Sequence, residues 1–351
     1  MRSPKLLALL AAAAVAAAAP LVLGSYDLNL ISRFLAMGIL ALGIVLIWGE
    51  AGILSLGHGV YFGLGGYALA MHLKLSGLAP GEIPDFMVWS GLKALPWWWR
   101  PFENPAFALV SVVALPGLVA AVFSWMVFHR RVGGTYFALI TQALALAFAT
   151  LLISQQGATG GFNGLTEFTT LFGADLHAAG VTRTLYWVTL AAVIGAGLLL
   201  AALRASRFGT LLRAVRDGEN RMRFLGYDPT PYKVCAFTLS AMLAGLAGAL
   251  FTLHAGMVSP ALVGVTPSIE MIIWVAIGGR TSLIGAVVAA LLVNLARDHI
   301  SSALPELWLY VLGALFIGVV TLMPGGLAGA AKELAANVKG LPGFKRKEAA
   351  A

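Results

Sequence analysis

Residues 204–233 read RASRFGTLLRAVRDGENRMRFLGYDPTPYK, the longest clearly polar interval between two apolar segments of the chain. Seven of these residues are basic (Arg204, Arg207, Arg213, Arg216, Arg221, Arg223, Lys233), against three acids (Asp217, Glu219, Asp228). Apolar residues interleave at helical spacing: Leu211, Leu212, Ala214 and Val215, then Met222, Phe224 and Leu225 before Gly226. A loop that only joined two membrane helices has no need of an amphipathic pattern. The stretch therefore reads as a docking element offered to a soluble partner. It predicts two short helices, Thr210–Arg216 and Glu219–Leu225, jointed at Asp217-Gly218. Leu211, Val215, Met222 and Leu225 are expected to fill a partner's groove, while Arg213, Arg216, Arg221 and Arg223 meet acids around it.

The flanks of this stretch show what solvent the chain lives in. Apolar residues make up 60% of the 351, charged residues only 11%, and the mean hydropathy is +0.88. An ordinary soluble domain is about half apolar and a quarter charged, so lipid must solvate part of the surface. With every backbone group satisfied internally, the fold class is all-α integral membrane. A spanning helix takes roughly 20 mostly apolar residues. The expected spans are 6–24, 29–48, 52–73, 106–128, 135–154, 184–203, 234–253, 266–279, 282–296 and 306–323, about ten helices. The eighth and ninth are short and split by Gly278-Gly279-Arg280.

Ten spans put both termini on one side. With the N-terminus inside, 17 of the 23 basic residues fall in cytoplasmic segments, so the net charge of +8 reflects the positive-inside bias rather than nucleic-acid binding. Residues 6–24 follow Arg2 and Lys5 as a signal peptide would, but Pro20 is a poor cleavage context and Leu21-Val22-Leu23 extends the segment. A retained helix is expected. The membrane-embedded body is read as 1–328, with 329–351 a cytoplasmic tail.

Two segments on the outer side stand out. Residues 75–105 carry five prolines and Pro96-Trp97-Trp98-Trp99-Arg100, and are expected to lie on the membrane surface at headgroup level. Gly157-Ala158-Thr159-Gly160-Gly161-Phe162-Asn163-Gly164 demands a compact turn, one expected to dip back toward the membrane interior.

Catalytic chemistry is missing. No Gly-x-x-x-x-Gly-Lys-Ser/Thr occurs, so the chain has no phosphate-cradling loop with which to hydrolyse ATP. The single Cys235 and six scattered histidines offer neither a disulfide framework nor a metal-ligand pattern. Gly57-His58-Gly59 followed by Phe62 breaks the dinucleotide fingerprint. These absences argue against an intramembrane enzyme, the third alternative class. Among acids, only Glu270 sits well inside an expected span, which makes it a candidate for lining a pathway; its alternative is a pairing within the bundle, for example with Arg280. Polar residues in apolar settings supply the other pathway candidates: Ser55, His58, Tyr61, Thr141, Gln142, Asn163, Thr281, Ser282 and Asn294. The competing reading of each is a hydrogen bond to a neighbouring helix. Gly59, Gly63 and Gly66 would let helices approach closely.

Several segments together resemble the permease subunits of the branched-chain amino-acid and urea family of ATP-binding-cassette importers. They are Trp48-Gly49-Glu50-Ala51-Gly52-Ile53-Leu54-Ser55-Leu56-Gly57-His58-Gly59 with Tyr61 to Tyr67, then Arg131 to Thr141, the turn at 159–164, and Ser206-Arg207-Phe208-Gly209 through Asp217 to Gly226. Tyr232-Lys233 to Gly248, Ser268-Ile269-Glu270, Gly278-Gly279-Arg280 and Gly285 complete the series, from about 29 to 328. Within the family, Gly81-Glu82-Ile83-Pro84-Asp85-Phe86-Met87-Val88-Trp89 and Glu219 to Asp228 resemble the C-type permeases of urea importers.

The resemblance implies a fold of transmembrane helices in a bacterial inner membrane. It implies as partners a homologous permease, two cytoplasmic ATP-binding-cassette subunits that use the ATP, and an extracytoplasmic solute-binding protein. It implies no cofactor bound by this chain. Residues 209–226 correspond to coupling helices, with Arg213, Arg216, Asp217, Glu219, Arg221, Arg223 and Gly226 at the ATPase contact. Many family members carry an Ala-Ala pair where this chain has Arg221 and Met222. Urea is the expected solute and branched-chain amino acids the alternative within the family. An ion-coupled carrier or a passive urea channel is the alternative class.

Overall fold

The computed structural model describes residues 19–330, except 21, 80–81, 169, 172, 177, 304–306 and 323–324. The expected first span and most of the tail lie outside the described residues. Helix α1 (Ser25–Ile44) runs without interruption into a π-helical turn, Val45–Glu50. It is followed by α2 (His58–Ser76), α3 (Pro105–His129), α4 (Thr135–Ser154), α5 (Ala179–Ala205) and α6 (Arg207–Phe224). Then come α7 (Thr230–Ala255), α8 (Val265–Gly278), α9 (Leu283–Ala303) and α10 (Trp308–Leu322). Two-residue strands pair Leu165–Thr166 with Met257–Val258 and Thr170–Leu171 with Ala174–Asp175.

Six helices of the described residues are long and apolar enough to cross a membrane: Ser25–Glu50, α3, α4, α5, α7 and α9. Within the described residues, nine expected positions fall on helices, but their bounds differ, and residues 52–57 precede α2 rather than belonging to a span. The segment expected at 282–296 is a 21-residue helix ending at Ala303, so only one member of the split pair is short. That member, α8, has 14 residues and rises about 21 Å, less than the ~30 Å apolar thickness of a bilayer.

Helix α7 lies at the centre, against α1, α2 and α3; α5 and α9 flank α1. Small residues make this close approach possible. A side chain at Gly65 would strike the Gly245 carbonyl, one at Gly248 the Phe62 carbonyl, and one at Gly245 the Val112 carbonyl and the Pro116 ring. Three spans thus touch backbone to backbone, the packing that substitutes for a hydrophobic drive inside lipid. Gly245→Val is expected to force the seam apart and to cost roughly 1–3 kcal/mol, the usual penalty for overpacking. A thermal unfolding midpoint in detergent equal to that of the unsubstituted protein would refute this.

Helix α2 starts deep in the bundle. Its first residue, His58, meets Ser240, ten residues into α7 and so about 15 Å from the start of that helix. The first turn of α8 is there too, with the Gly59 amide donating to Ser268 Oγ at 3.2 Å. From this junction α2 runs toward the end of the bundle that carries the tryptophans. Helix α8 runs toward the opposite end, where α6 lies. Two interrupted spans therefore begin side by side at mid-depth.

At the tryptophan end the glycine-rich turn was expected to re-enter. Instead it closes on the strand pair, and the connection after Met257–Val258 reaches down, placing Val263 against Gly59 and Gly63. The 75–105 segment is pinned rather than lying free. Phe102 accepts a hydrogen bond through its carbonyl from His72 Nδ1 (2.8 Å), and Trp99 Nε1 donates to the Ala158 carbonyl (3.0 Å). Trp89 and Trp97 stay exposed, as an interfacial surface requires.

Candidate functional site

The polar interval that opened the sequence folds as α6, and the expected joint is present. Gly218 departs from helical geometry (φ −176°, ψ 70°), dividing the helix into two arms. The Ser206 hydroxyl caps the first arm by accepting from the Gly209 amide. Gly209 itself sits against the Leu203 carbonyl, so the chain turns sharply out of α5. The second arm ends at Gly226, whose φ of +87° lies in the left-handed region that glycine adopts without strain.

Each arm is held to the bundle by ion pairs. Glu50, 1% exposed, closes the π turn of α1 and accepts from Arg204 Nε (2.8 Å) and Arg213 Nη1 (3.1 Å). Arg204 also donates to the Thr281 carbonyl (2.9 Å), and Arg213 to the Arg204 carbonyl (3.1 Å). Arg216 donates to the Gly49 carbonyl (2.6 Å) and pairs with Asp217 (2.7 Å). On the second arm, Glu219 accepts from Arg223 and Lys233, both at 2.9 Å. Lys233 is buried, its ammonium 4.6 Å from the centroid of the Phe128 ring.

These contacts correct the expected facing of the helix. Val215 and Met222 point inward and are buried, and Leu211 is half-buried, so those three do not form the outer surface. Arg213, Arg216 and Arg223 are engaged within the chain. Arg221 remains exposed, and with it Phe224 (91% exposed), Leu225 (76%) and Tyr227. The outward face is the end of the second arm.

Electrostatics follow from this geometry. The hydrogen bond from Arg216 holds the Asp217 carboxyl below the usual carboxylate range. Burial pushes Glu219 upward, but hydrogen bonds from Arg223 and Lys233 outweigh it and hold that carboxyl below its ordinary value too. A depressed folded-state value contributes stability above the ordinary glutamate range, near ~4.3, and loses it as pH falls through the depressed value. Opening of residues 219–227, read by amide exchange corrected for intrinsic chemistry, is therefore expected to stay flat from pH 8 to about 5 and to rise below about 4. A rise already between pH 7 and 6 would assign the attachment to another group.

The pathway candidates divide. Ser55, His58, Tyr61 and Thr141 gather around residues 51–58, the connection between α1 and α2. His58 is fully buried, with Nδ1 on Ser55 Oγ (3.0 Å) and Nε2 on Ser240 Oγ (2.9 Å). Its ring meets Tyr61 and Phe237 edge-on. Thr141 accepts from the Leu56 amide (3.0 Å) and donates to the Ala138 carbonyl (2.8 Å). The Tyr61 hydroxyl is buried with no hydrogen-bond partner among the described residues. This group is therefore interior to the chain, with Ser55, His58 and Thr141 hydrogen-bonded.

The others are scattered. Gln142, next to Thr141, is half-buried. Asn163 is exposed at the tryptophan end, away from the cluster. Glu270 pairs with Arg297 rather than Arg280, because α9 returns antiparallel beside α8. Asn294 bonds back to its own helix at Ala290, Ser282 caps α9 at Gly285, and Thr281 offers its carbonyl to Arg204. Sequence reasoning missed Glu50 as a hub, and Lys233 and Ser240 as anchors. The one available signal was a carboxylate closing an otherwise apolar span.

A bundle of apolar helices with a basic, jointed helix clamped to one end is the setting in which family relationships can be judged. Residues 26–320 match the family described as "Branched-chain amino acid transport system / permease component". The chain belongs to this family. Two curated members of the branched-chain permease family are similar to it, both named "High-affinity branched-chain amino acid transport system permease protein LivM". The one from Salmonella typhimurium is 27% identical over 345 residues, 91% of this chain and 74% of that protein. The one from Escherichia coli K12 is 26% identical over 313 residues, 82% and 67% respectively. No solved structure gives a significant match. Membership in the branched-chain permease family makes the chain a multi-pass membrane component of a transport system rather than an enzyme.

Proposed function

We propose that this chain is one of two permease subunits in an ATP-driven importer, that α6 is its coupling element, and that urea is its solute. The observation that carries the reading is the two-sided character of α6. One side is bonded to the bundle through Glu50, Gly49 and Lys233, while Arg221, Phe224, Leu225 and Tyr227 stand clear of it. An element attached on one face and apolar on the other is suited to carry force from a partner that grips it. The excess of basic residues at this end supports a cytoplasmic position for it. The partners are a homologous permease, two cytoplasmic ATP-binding-cassette subunits and an extracytoplasmic binding protein. The ATP is bound by those subunits and no cofactor by this chain.

Urea is neutral and rich in hydrogen-bonding groups. The junction of the two interrupted spans is polar without being charged, its hydroxyls, imidazole and backbone amide bonded to one another, a setting compatible with a neutral solute. The 75–105 segment supports the same choice through its resemblance to urea permeases. A second reading, branched-chain amino acids, is favoured by the names of both relatives. Reconstitution of the complex with its ATPases and binding protein in liposomes tests both. ATP-dependent uptake of labelled urea and not leucine is expected. Uptake of leucine alone selects the second reading, and uptake of urea without nucleotide selects a channel or carrier.

A further inference from the structure

We propose that Glu50 is the positioning residue through which displacement of α6 reaches both interrupted spans at once; this rests on the reading of α6 as the coupling element. Two other segments meet at its carboxylate, and a third is reached through them. Arg204 comes from the last turn of α5 and Arg213 from the first arm of α6, and each takes one of the two oxygens. Arg204 reaches on to the Thr281 carbonyl, in the turn that ends α8. The backbone beside Glu50 closes the circle. Gly49 gives its carbonyl to Arg216, and it packs so tightly on the Arg280 carbonyl that no side chain fits there.

The segments beyond each contact make this more than a staple. Residues 51–57 lead from Glu50 to His58, where α2 begins. The turn at 279–282 ends α8. Helices α2 and α8 are the two spans that begin face to face at Gly59 and Ser268. A push on α6 therefore passes, through the first arm and chiefly through this carboxylate with the Gly49 carbonyl beside it, to the foot of one interrupted helix and the connection into the other.

The linkage is stiff because it is charged and shielded. Hydrogen bonds to an ionised, water-excluded carboxylate are shorter and stronger than neutral ones. The π turn contributes as well, since an added residue per turn rotates the downstream chain by about 100° relative to a continuous α-helix and so sets the direction in which Glu50 points. There is also room for movement. A cavity of about 220 Å³ lies between residues 51–54, Phe128 and Phe137 on the bundle and 215–219 of α6. Gly52, with φ +70°, touches the Arg216 side chain at its edge.

The test uses the complete importer in liposomes, with the solute that the unsubstituted complex imports, urea or leucine. Three quantities are read: complex recovered, ATP hydrolysed with binding protein present, and solute moved per ATP. In E50Q the carboxamide keeps shape but loses the charge that holds both arginines. Solute per ATP is expected to fall at least tenfold, with recovery and hydrolysis within about threefold of the unsubstituted complex. R204K, which cannot reach Glu50 and Thr281 together, is expected to lower the same ratio and serves if E50Q does not assemble. An unchanged ratio in either assembled variant overturns the proposal, as does a loss of recovery with the ratio intact, which marks a purely structural staple. Failure of the coupling reading itself is distinguishable. It shows in the unsubstituted protein, as uptake that needs no ATP.

Discussion

Replacing Phe224 and Leu225 together by Asp is expected to strip the ATPase subunits from the purified complex while leaving the permease at its normal level in the membrane. Both side chains are exposed and neither supports the bundle, so folding does not depend on them. Burial of each in a partner's groove is worth about 1.5–3 kcal/mol. Losing both, and placing two carboxylates in an apolar setting, amounts to a loss of at least roughly a hundredfold in affinity at about 1.4 kcal/mol per factor of ten. Affinity purification through the permease, with the ATPases quantified, checks it. The same substitution at Val215 and Met222 should instead reduce the amount of folded protein, because those residues face inward. Full recovery of ATPases with the Phe224 and Leu225 variant would remove α6 from the contact.

The second large effect is expected at Lys233. Its ammonium stands 2.9 Å from Glu219 and over the face of Phe128. Lys233→Glu sets two carboxylates against each other in a buried place and turns a negative group toward the negative face of a ring. Breaking a buried pair costs roughly 3–5 kcal/mol, and Glu219, being one-third exposed, puts this case at the lower end. The variant should lose thermal stability in detergent and expose the second arm of α6 to protease. Combining it with Glu219→Lys restores opposite charges at the same distance and should recover part of the loss, short of all because Arg223 then faces a like charge, a coupling that only direct neighbours show. If the single variant is as stable as the parent, or the swap no better than the single, Lys233 does not anchor the arm.

Which of these features could be read in advance depends on their range along the chain. Helix positions and the Gly218 joint were legible because composition and spacing are local properties. The facing of α6 was not. Val215 and Met222 are as apolar as Phe224 and Leu225, and only the packing of α6 on the bundle separates inward from outward. The arginines misled for a related reason. Arg213 and Arg216 are exposed in any helical wheel, yet their partners at Glu50 and Gly49 lie more than 160 residues away in sequence. Glu270 shows the same limit, since the antiparallel return of α9 brings up Arg297 where proximity in sequence had suggested Arg280. His58 is legible in the sequence as a polar group in an apolar setting. What the sequence could not supply was Ser240, on a helix far along the chain, which satisfies its ring.

The glycine seam that locks α2, α3 and α7 together has a consequence for how a solute can cross. Where backbones touch there is no gap for even a water molecule, and such a wedge of protein shifts as a single piece. A solute therefore finds no opening between α2, α3 and α7, and any route past them has to run along an outer flank of the seam.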